Sequence, residues 1–411
     1  MTSFHAPHTP RRTTGLLATL AVVALAALAA ACGGGADTAS TGSSAPPSEV
    51  ATGYTQGTVS GFGSVVVNGV RFDDSSATVT DDAGTKTIAS AGALKLGMCV
   101  EVDHSAVDSS TTSAKAAAFR YGSLVLGPVS AVDSAASTIT VLGQVVDVSA
   151  STVFDDALAA GLPAVTVGAL VEVHGLVDSA TGHLLATRIE SETSATAYKL
   201  RGTVAGLDST AKTFSINGSL ISYASLDSAL LPTTLANGST LRVLLATAQV
   251  NGQWVAQSLG IKASTRPADN TSAQLRGSIT AFTSATSFTV GGLLVDASNA
   301  SFPDGSSGLA LGVQVEVQGT VRNGVLVATK VELESKHRAD DSRKLQLYGA
   351  ITAVDTSALT FVVRNVSVSR NSATVYVNGV EADLLVGRKV RVKGGLGSTR
   401  SQVLASQISF D

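Results

Sequence analysis

The sequence predicts an all-β protein, a tandem array of five small β-barrel domains behind an export signal and a flexible tether, and three observations carry that prediction. A glycine-led motif starts five times, at Gly57, Gly127, Gly202, Gly277 and Gly349, with spacings of 70, 75, 75 and 72 residues. After a second glycine, valines alternate with charge, as in Val100-Glu101-Val102, Val171-Glu172-Val173 and Val315-Glu316-Val317, and a period of two marks a strand with one buried face. Asn-Gly pairs begin at Asn68, Asn217, Asn237, Asn251, Asn323 and Asn378, and both residue types tolerate the positive φ angles of tight hairpins.

Composition sets outer bounds. A chain of 411 residues exceeds one ordinary core, so several domains are expected. Charged residues at 14% and a mean hydropathy of +0.30 exclude a highly charged disordered chain. The first 31 residues hold Arg11 and Arg12 and no acid, which leaves 26 basic against 31 acidic side chains, formally −5, in the remainder. A mildly acidic body argues against general nucleic-acid binding, which relies on neutralising phosphates.

The amino end, residues 1–31, reads as a signal peptide: a short basic region with Arg11 and Arg12, then an apolar run from Leu16 to Ala31. A membrane span needs about 20 apolar residues, and this run is shorter. It ends Leu28-Ala29-Ala30-Ala31-Cys32, which resembles the lipobox of bacterial lipoproteins, with Ala29 where leucine is usual. That resemblance implies a diacylglycerol joined to the Cys32 thiol, cleavage before Cys32 and acylation of the new amino group. The alternatives are an ordinary cleaved signal with an incidental cysteine and an uncleaved membrane anchor. Thr13 and Thr14 match twin-arginine export poorly, so the general secretory route is expected. Gly33, in place of an aspartate, implies delivery to the outer membrane in bacteria whose sorting machinery reads aspartate as a retention signal. Residues 32–53 hold the lipidated cysteine and a Gly/Ser/Pro tether. Only Cys99 remains in the body, so no intramolecular disulfide is expected and stability must come from packing.

The five copies are expected at 54–123, 124–193, 197–263, 273–335 and 344–411. In each, the second glycine (Gly97, Gly168, Gly238, Gly312, Gly387) is followed by a third marker, Ala116 with Phe119, Ala186 with Ile189, Ala256 with Leu259, Ala328 with Val331, and Ala405 with Ile408. Short strands in so small a unit leave exposed edges unless the sheet closes. The order of signals looks like an OB-type barrel; an immunoglobulin-like sandwich, usually about 100 residues, is the alternative. One short helix is expected around Asp155 to Ala160. Copies one and two should abut, whereas the polar stretches 262–273 and 335–344 read as linkers where the array bends. The stretches GFGSVVVNGVRF (61–72), LKLGMCVEV (94–102) and GPVSAVDSAASTITVLGQVV (127–146) resemble a bacterial repeat family catalogued as a domain of unknown function and common in exported lipoproteins. The resemblance implies the barrel architecture and brings no catalytic residue. Copy five departs most, with Arg364 and Asn365 where the others have a glycine turn.

Chemistry-bearing patterns are sparse. After signal removal the histidines are His104, His174, His183 and His337. His174 and His183 flank one expected hairpin with Asp178 in its turn. Pairing Val177 with His183 sets His174 opposite Ala186, three residues away, so both read as solvated strand ends rather than metal ligands. No Gly-x-Ser-x-Gly elbow occurs, and no acid, base and nucleophile set recurs among the copies. Asp304 in FPDGSSG lacks the additional carboxylates of a calcium loop and reads as a turn. The Gly61-x-Gly63 pattern precedes no helix, so it offers no phosphate cradle. Trp254 aligns with Leu184 and Leu326 and is expected in the core. Cys99 aligns with Leu170, Thr240, Gln314 and Lys389, as suits a partly exposed structural thiol. No catalytic residue, metal or cofactor is therefore expected.

One feature of copy five has the opposite sign to the body. Lys389, Arg391 and Lys393 alternate with Val390 and Val392 on one strand, in a copy with eight basic and four acidic residues, where copies one and four carry Glu101 and Glu316. The three cations are candidate contacts for an anionic envelope component or an acidic protein partner; the plainer reading is charged gatekeepers on a strand edge. Together these features indicate a lipid-anchored envelope protein whose barrels form a non-catalytic binding or scaffolding array, with an extracytoplasmic hydrolase or a passive spacer as alternatives.

Overall fold

A strand pattern that repeats five times should close five times along one path, and it does. The computed structural model describes residues 52–82, 86–88, 92–178, 181–261, 267–334 and 345–411; the signal, Cys32, the tether and His337 lie outside them. In copy one, β1 (Gly53–Phe62) pairs antiparallel with β2 (Val65–Val67), and β2 with β3 (Val70–Asp73). A short hairpin follows, β4 (Thr78–Thr80) and β5 (Lys86–Ile88), then β6 (Cys99–His104) and β7 (Ser113–Tyr121). β3 runs parallel to β7, β7 antiparallel to β6, and β6 returns to β1. Numbering only the five barrel strands, the closed order is 1-2-3-5-4-1, the path of an OB barrel.

Copy two repeats it with β8 (Val125–Asp133), β9 (Thr138–Val141), β10 (Gln144–Asp147), the short β11 (Val153–Phe154), β12 (Leu170–Val177) and β13 (Leu184–Glu192). Copy three uses β14 (Tyr198–Asp208), β15 (Thr213–Ile216), β16 (Ser219–Ser222), β17 (Thr240–Leu245) and β18 (Trp254–Ile261). Copy four uses β19 (Ser272–Ser284), β20 (Ser287–Val290), β21 (Leu293–Asp296), β22 (Gln314–Arg322) and β23 (Val325–Leu333). Copy five uses β24 (Leu345–Asp355), β25 (Thr360–Val363), β26 (Val366–Ser369), β27 (Val375–Val377), β28 (Lys389–Leu396) and β29 (Val403–Phe410). The helix expected near Asp155 is a single 3-10 turn, Asp156–Leu158, capped by the Asp155 carboxylate, which accepts from the Leu158 N–H.

The second glycine marker now has a physical reason. The first strand of each barrel is shared: residues 53–58 of β1 pair with β6, and from Val59 onward β1 pairs with β2 across a bulge. At that changeover a backbone pair staples the strand to the turn before β6, with the Gly97 N–H donating to the Val59 carbonyl and the Val59 N–H to the Met98 carbonyl, both at 2.9 Å. The same reciprocal pair recurs between Gly168 and Val129, Gly238 and Val204, Gly312 and Ile279, and Gly387 and Ile351, each glycine donating at 2.8–2.9 Å. All five glycines have φ between +84° and +89°, where a Cβ is unfavourable.

A third set of glycines went unmarked in the repeat. At the bulge between the fourth and fifth barrel strands, a Cβ on Gly175, Gly319 or Gly394 would stand 2.1–2.2 Å from the carbonyl oxygen of Leu185, Val327 or Leu404.

Hairpin chemistry follows expectation at four of the six Asn-Gly pairs. Asn68, Asn217 and Asn323 join adjacent strands, Asn251 closes the β17–β18 connection, and all four have positive φ. Gly238 instead sits in the turn before β17, and Asn378 leads into the 3-10 turn Glu381–Asp383. In copy five Arg364 and Asn365 take φ of +53° and +61° and so make the same hairpin without glycine. In copy two Leu142 takes a φ of +49° ahead of Gly143 at +79°; its buried side chain folds over Gly127, where a Cβ would lie 2.5 Å away. Inside the barrels the third-marker residues Ala116, Phe119, Ala186, Ile189, Ala256, Leu259, Ala328, Val331, Ala405 and Ile408 are all buried.

The copies do not form a string. β1 runs parallel to β19 over Gly53–Gln56 and Ser272–Leu275, and its far end runs parallel to β24 at Gly61–Phe62, so copies four and five both return to copy one. Copies two and three join through β8 and β14. Copies one and two abut as expected. Arg400 of copy five donates to the carbonyls of Ser149, Ala150 and Thr152 in copy two, at 2.9, 2.5 and 3.0 Å. Of the two expected bending points, 262–266 and 335–344 lie outside the described residues.

The two glycine classes should differ in denaturant unfolding. Gly387→Ala is expected to cost about 1–2 kcal/mol through its φ alone, with nothing within 4 Å of the new Cβ. Gly394→Ala carries no left-handed φ cost but clashes with the Leu404 carbonyl and should lose about 1–3 kcal/mol; a Gly394→Ala midpoint at the parental value would contradict this account of the bulge.

Candidate functional site: the outward faces of the barrels

Strands one, four and five of each barrel present one cross-strand row outward. The rows are Gln56–Glu101–Arg120, Leu126–Glu172–Glu190, Arg201–Arg242–Gly260, Arg276–Glu316–Glu332 and Tyr348–Arg391–Ser409. Most charges on and beside the rows of copies one to four pair with opposite charges, several across copies. Arg120 grips Asp103 through two bonds of 2.7 and 2.8 Å. Between copies one and two, Lys95 bonds Glu190, Arg188 meets Glu190 at 2.6 Å, and Arg188 Nη1 donates to the Leu96 carbonyl at 3.0 Å. Lys199 of copy three reaches Glu172 of copy two at 3.0 Å and Asp82 of copy one at 3.3 Å. In copy four, Arg276 contacts Glu316 at 2.9 Å and Glu334 at 3.0 Å.

Burial is the largest single influence on Glu190, Glu172 and Glu316 and works to raise their pKa, but the facing Arg188, Lys199 and Arg276 together with the hydrogen bonds each carboxylate accepts outweigh it, so all three stay below the ordinary glutamate value. Expected as an outward charge, Glu101 is buried, with Arg120 of its own copy 3.6 Å away.

Copy five is the exception. Lys389, Arg391 and Lys393 are exposed while Val390 and Val392 are fully buried, the alternation that the sequence predicts. None of the three has a carboxylate within ion-pair distance among the described residues; Arg391 lies over the Tyr348 ring, 5.7 Å from its centroid, and the Tyr348 hydroxyl donates to Asp411 at 2.7 Å. The gatekeeper reading needs an edge strand, and β28 is not one: it is paired with β24 on one side and β29 on the other.

The histidines correct the sequence-based expectation. A bulge at His174/Gly175 shifts the register, so Val177 faces Leu184 and His174 faces Arg188. The structure does not bring His174 and His183 together. His183 is half-buried, 3.1 Å from Asp147, whereas His174 is 1% exposed rather than solvated, 3.9 Å from Glu190 and against the Tyr121 ring of copy one. His104 is also buried; its Nδ1–H donates to the Ser105 carbonyl at 2.6 Å and Nε2 accepts from Thr55 Oγ1 at 3.0 Å. Burial lowers the pKa of both imidazoles. Among the described residues no cluster of three or more His, Cys, Asp and Glu could hold a metal.

Cys99 is half-buried, with Thr187 Oγ1 at 3.6 Å and Thr58 Oγ1 at 3.8 Å. Trp254 is only partly buried, edge-on to Tyr198 at 5.8 Å, unlike the fully buried Leu184 and Leu326 with which it aligns. Asp304 accepts from the Leu333 N–H at 3.0 Å and so ties down its turn. Two clefts of about 350 and 330 Å³ open between copies, the first lined by Asn68, Thr187, Gln274, Arg276 and Gln314, the second by Lys95, Asp155, Arg188 and Arg364. Sequence reasoning missed both, since each is made of residues from different copies.

The family described as "Domain of unknown function (DUF5666)" matches residues 55–115, 127–190, 276–332 and 348–409, more than half of the sequence. The chain belongs to that family. Copy three stands outside the four DUF5666 matches, although β14 to β18 close the same path. Among solved structures, a Drosophila chain titled Unr CSD456 is similar at 14% identity and a TM-score of 0.13, over 53% of this chain and 98% of that one. No curated protein matches the sequence.

The buried imidazoles set a pH dependence. The unfolded chain takes up protons near pH 6.5 that the folded chain, with lowered histidine pKa values, refuses. Stability from this source is complete above that value and falls as pH drops below it, with a slope of up to ~1.4 kcal/mol per pH unit for each histidine. Unfolding midpoints should fall between pH 7.5 and 5.5, and His174→Gln should shrink that fall; an unchanged pH profile in the variant would show that His174 titrates alike in both states.

Proposed function

We propose that this is a lipid-anchored protein of the bacterial cell envelope, held through Cys32 and delivered to the outer membrane, whose barrels act as a non-catalytic binding or scaffolding body. The observation that carries the reading is the return of copies four and five onto β1. A spacer gains reach by stringing barrels apart, whereas pairing first-copy strands with fourth- and fifth-copy strands favours a body that presents fixed faces. Against a hydrolase stands the engagement of the buried carboxylates: Glu190, Glu172 and Glu316 are each matched by a cation. The face left for a partner is that of Lys389, Arg391 and Lys393, whose sign suits an anionic envelope component or acidic protein and opposes the formal −5 of the body.

Two measurements test this. Metabolic labelling with palmitate should mark the parent chain and not Cys32→Ser; label persisting in the variant contradicts the anchor. Cross-linked capture from intact envelopes should enrich a partner that is lost when Lys389, Arg391 and Lys393 are all changed to alanine, and a profile identical to that of an unrelated lipoprotein contradicts binding.

A further inference from the structure

Beside its cation row, copy five exposes aliphatic side chains that its own barrel leaves uncovered. Val386 and Leu385 are 67% and 63% exposed, and Val380 60%, although all three sit in a well-ordered turn. The Val380 N–H bonds the Asp383 carboxylate at 2.8 Å, the Arg388 N–H bonds the Leu385 carbonyl at 3.0 Å, and Gly387 is stapled to Ile351 at 2.8 Å. Leu384 is buried beneath, so Leu385 and Val386 are held outward by the fold. Four cations follow at once: Arg388, Lys389, Arg391 and Lys393.

The matching turn in copy one shows what such a surface does when covered. Lys95-Leu96-Gly97 seats that copy on copy two: Leu96 is buried, its carbonyl accepts from Arg188, and Lys95 bonds Glu190. In copy five the same turn carries an equally apolar tip and more positive charge, and none of the described residues of another copy covers it. The nearby acids offset only part of that charge: Glu381 is matched by Arg370 at 3.0 Å, and Asp383, which caps the Val380 N–H, and Asp411, which accepts from Tyr348, leave four cations against two carboxylates.

We infer that this face of copy five docks on an anionic lipid bilayer, with Val380, Leu385 and Val386 entering the interfacial region and Arg388, Lys389, Arg391 and Lys393 meeting lipid phosphates. The proposal rests on the anchored reading of Cys32, which keeps the bilayer within reach: the 19 residues between Cys32 and Thr52 span at most about 65 Å at full extension. A soluble acidic protein would need only the cations. The aliphatic tip ahead of the cations favours lipid, because interfacial binding combines buried apolar area with attraction to anionic headgroups. Alternate residues on a strand stand about 7 Å apart, so the row offers three separate phosphate contacts.

The test uses the lipidated chain carrying Trp254→Phe and Val386→Trp, reconstituted on vesicles of phosphatidylcholine alone or mixed with phosphatidylglycerol, each doped with a brominated lipid. The introduced indole should shift to the blue and lose fluorescence to bromine on the phosphatidylglycerol vesicles. That loss should disappear in high salt and when Lys389, Arg391 and Lys393 are changed to alanine, while Trp254 in the parent chain stays unquenched. Protein that floats with the anionic vesicles but keeps an unquenched indole overturns the docking and leaves the anchor standing; quenching that persists in the alanine variant, or matches that on phosphatidylcholine alone, overturns the role of the cations. Protein that does not float with the anionic vesicles overturns both readings.

Discussion

A single pair of reciprocal backbone hydrogen bonds, made between the first strand of each barrel and a left-handed glycine, sets the geometry on which the rest of the molecule depends. It fixes the point at which that strand leaves one partner and takes up another, at Val59, Val129, Val204, Ile279 and Ile351. One long strand can then serve both walls of a barrel, and five strands close without a free edge inside the copy. The bond pair is made of backbone atoms, so it constrains only the glycine and leaves the outward side chains of strands four and five free to differ. That freedom is why one fold can be tiled five times while every outward face is different.

The outward faces determine how the copies meet. At the seams among copies one, two and three, largely buried carboxylates face cations of the neighbouring copy, as Glu190 does with Lys95 and Glu172 with Lys199. Such pairs discriminate more than they stabilise, since desolvation offsets much of their attraction while a mismatched charge would be severely penalised. The arrangement therefore specifies which copy sits beside which. Copy five lacks this pairing on its cation row among the described residues, and that row stays exposed.

Much of the barrel was legible in the sequence because its causes are local. The alternation around Glu101 or Glu316 reports a strand, and the glycine spacings report the staple without reference to any distant residue. The bulge glycines Gly175, Gly319 and Gly394 were not singled out, because the carbonyls that crowd them belong to a partner strand about ten residues away. Turn geometry at Leu142 and Arg364 was hidden for another reason: residues other than glycine hold left-handed angles there. The fate of His174 could not be read at all. It lies outward, as expected of a solvated residue, and is buried only because copy one covers it. The clefts between copies were hidden for the same reason, being lined by residues of different copies. On β28, by contrast, the alternation alone was enough, since no neighbouring copy intervenes.

The central claim, that the outward faces of copies one to three close on one another while the cation row of copy five stays open, is tested most directly by the rates at which lysines of the intact chain react with an acetylating reagent, read by mass spectrometry. Lys389 and Lys393 should react at the rate of free surface lysines, and Lys199, held between Glu172 and Asp82 at 15% side-chain exposure, much more slowly. Lys199 reacting as fast as Lys389 would mean that the copies do not meet in this way.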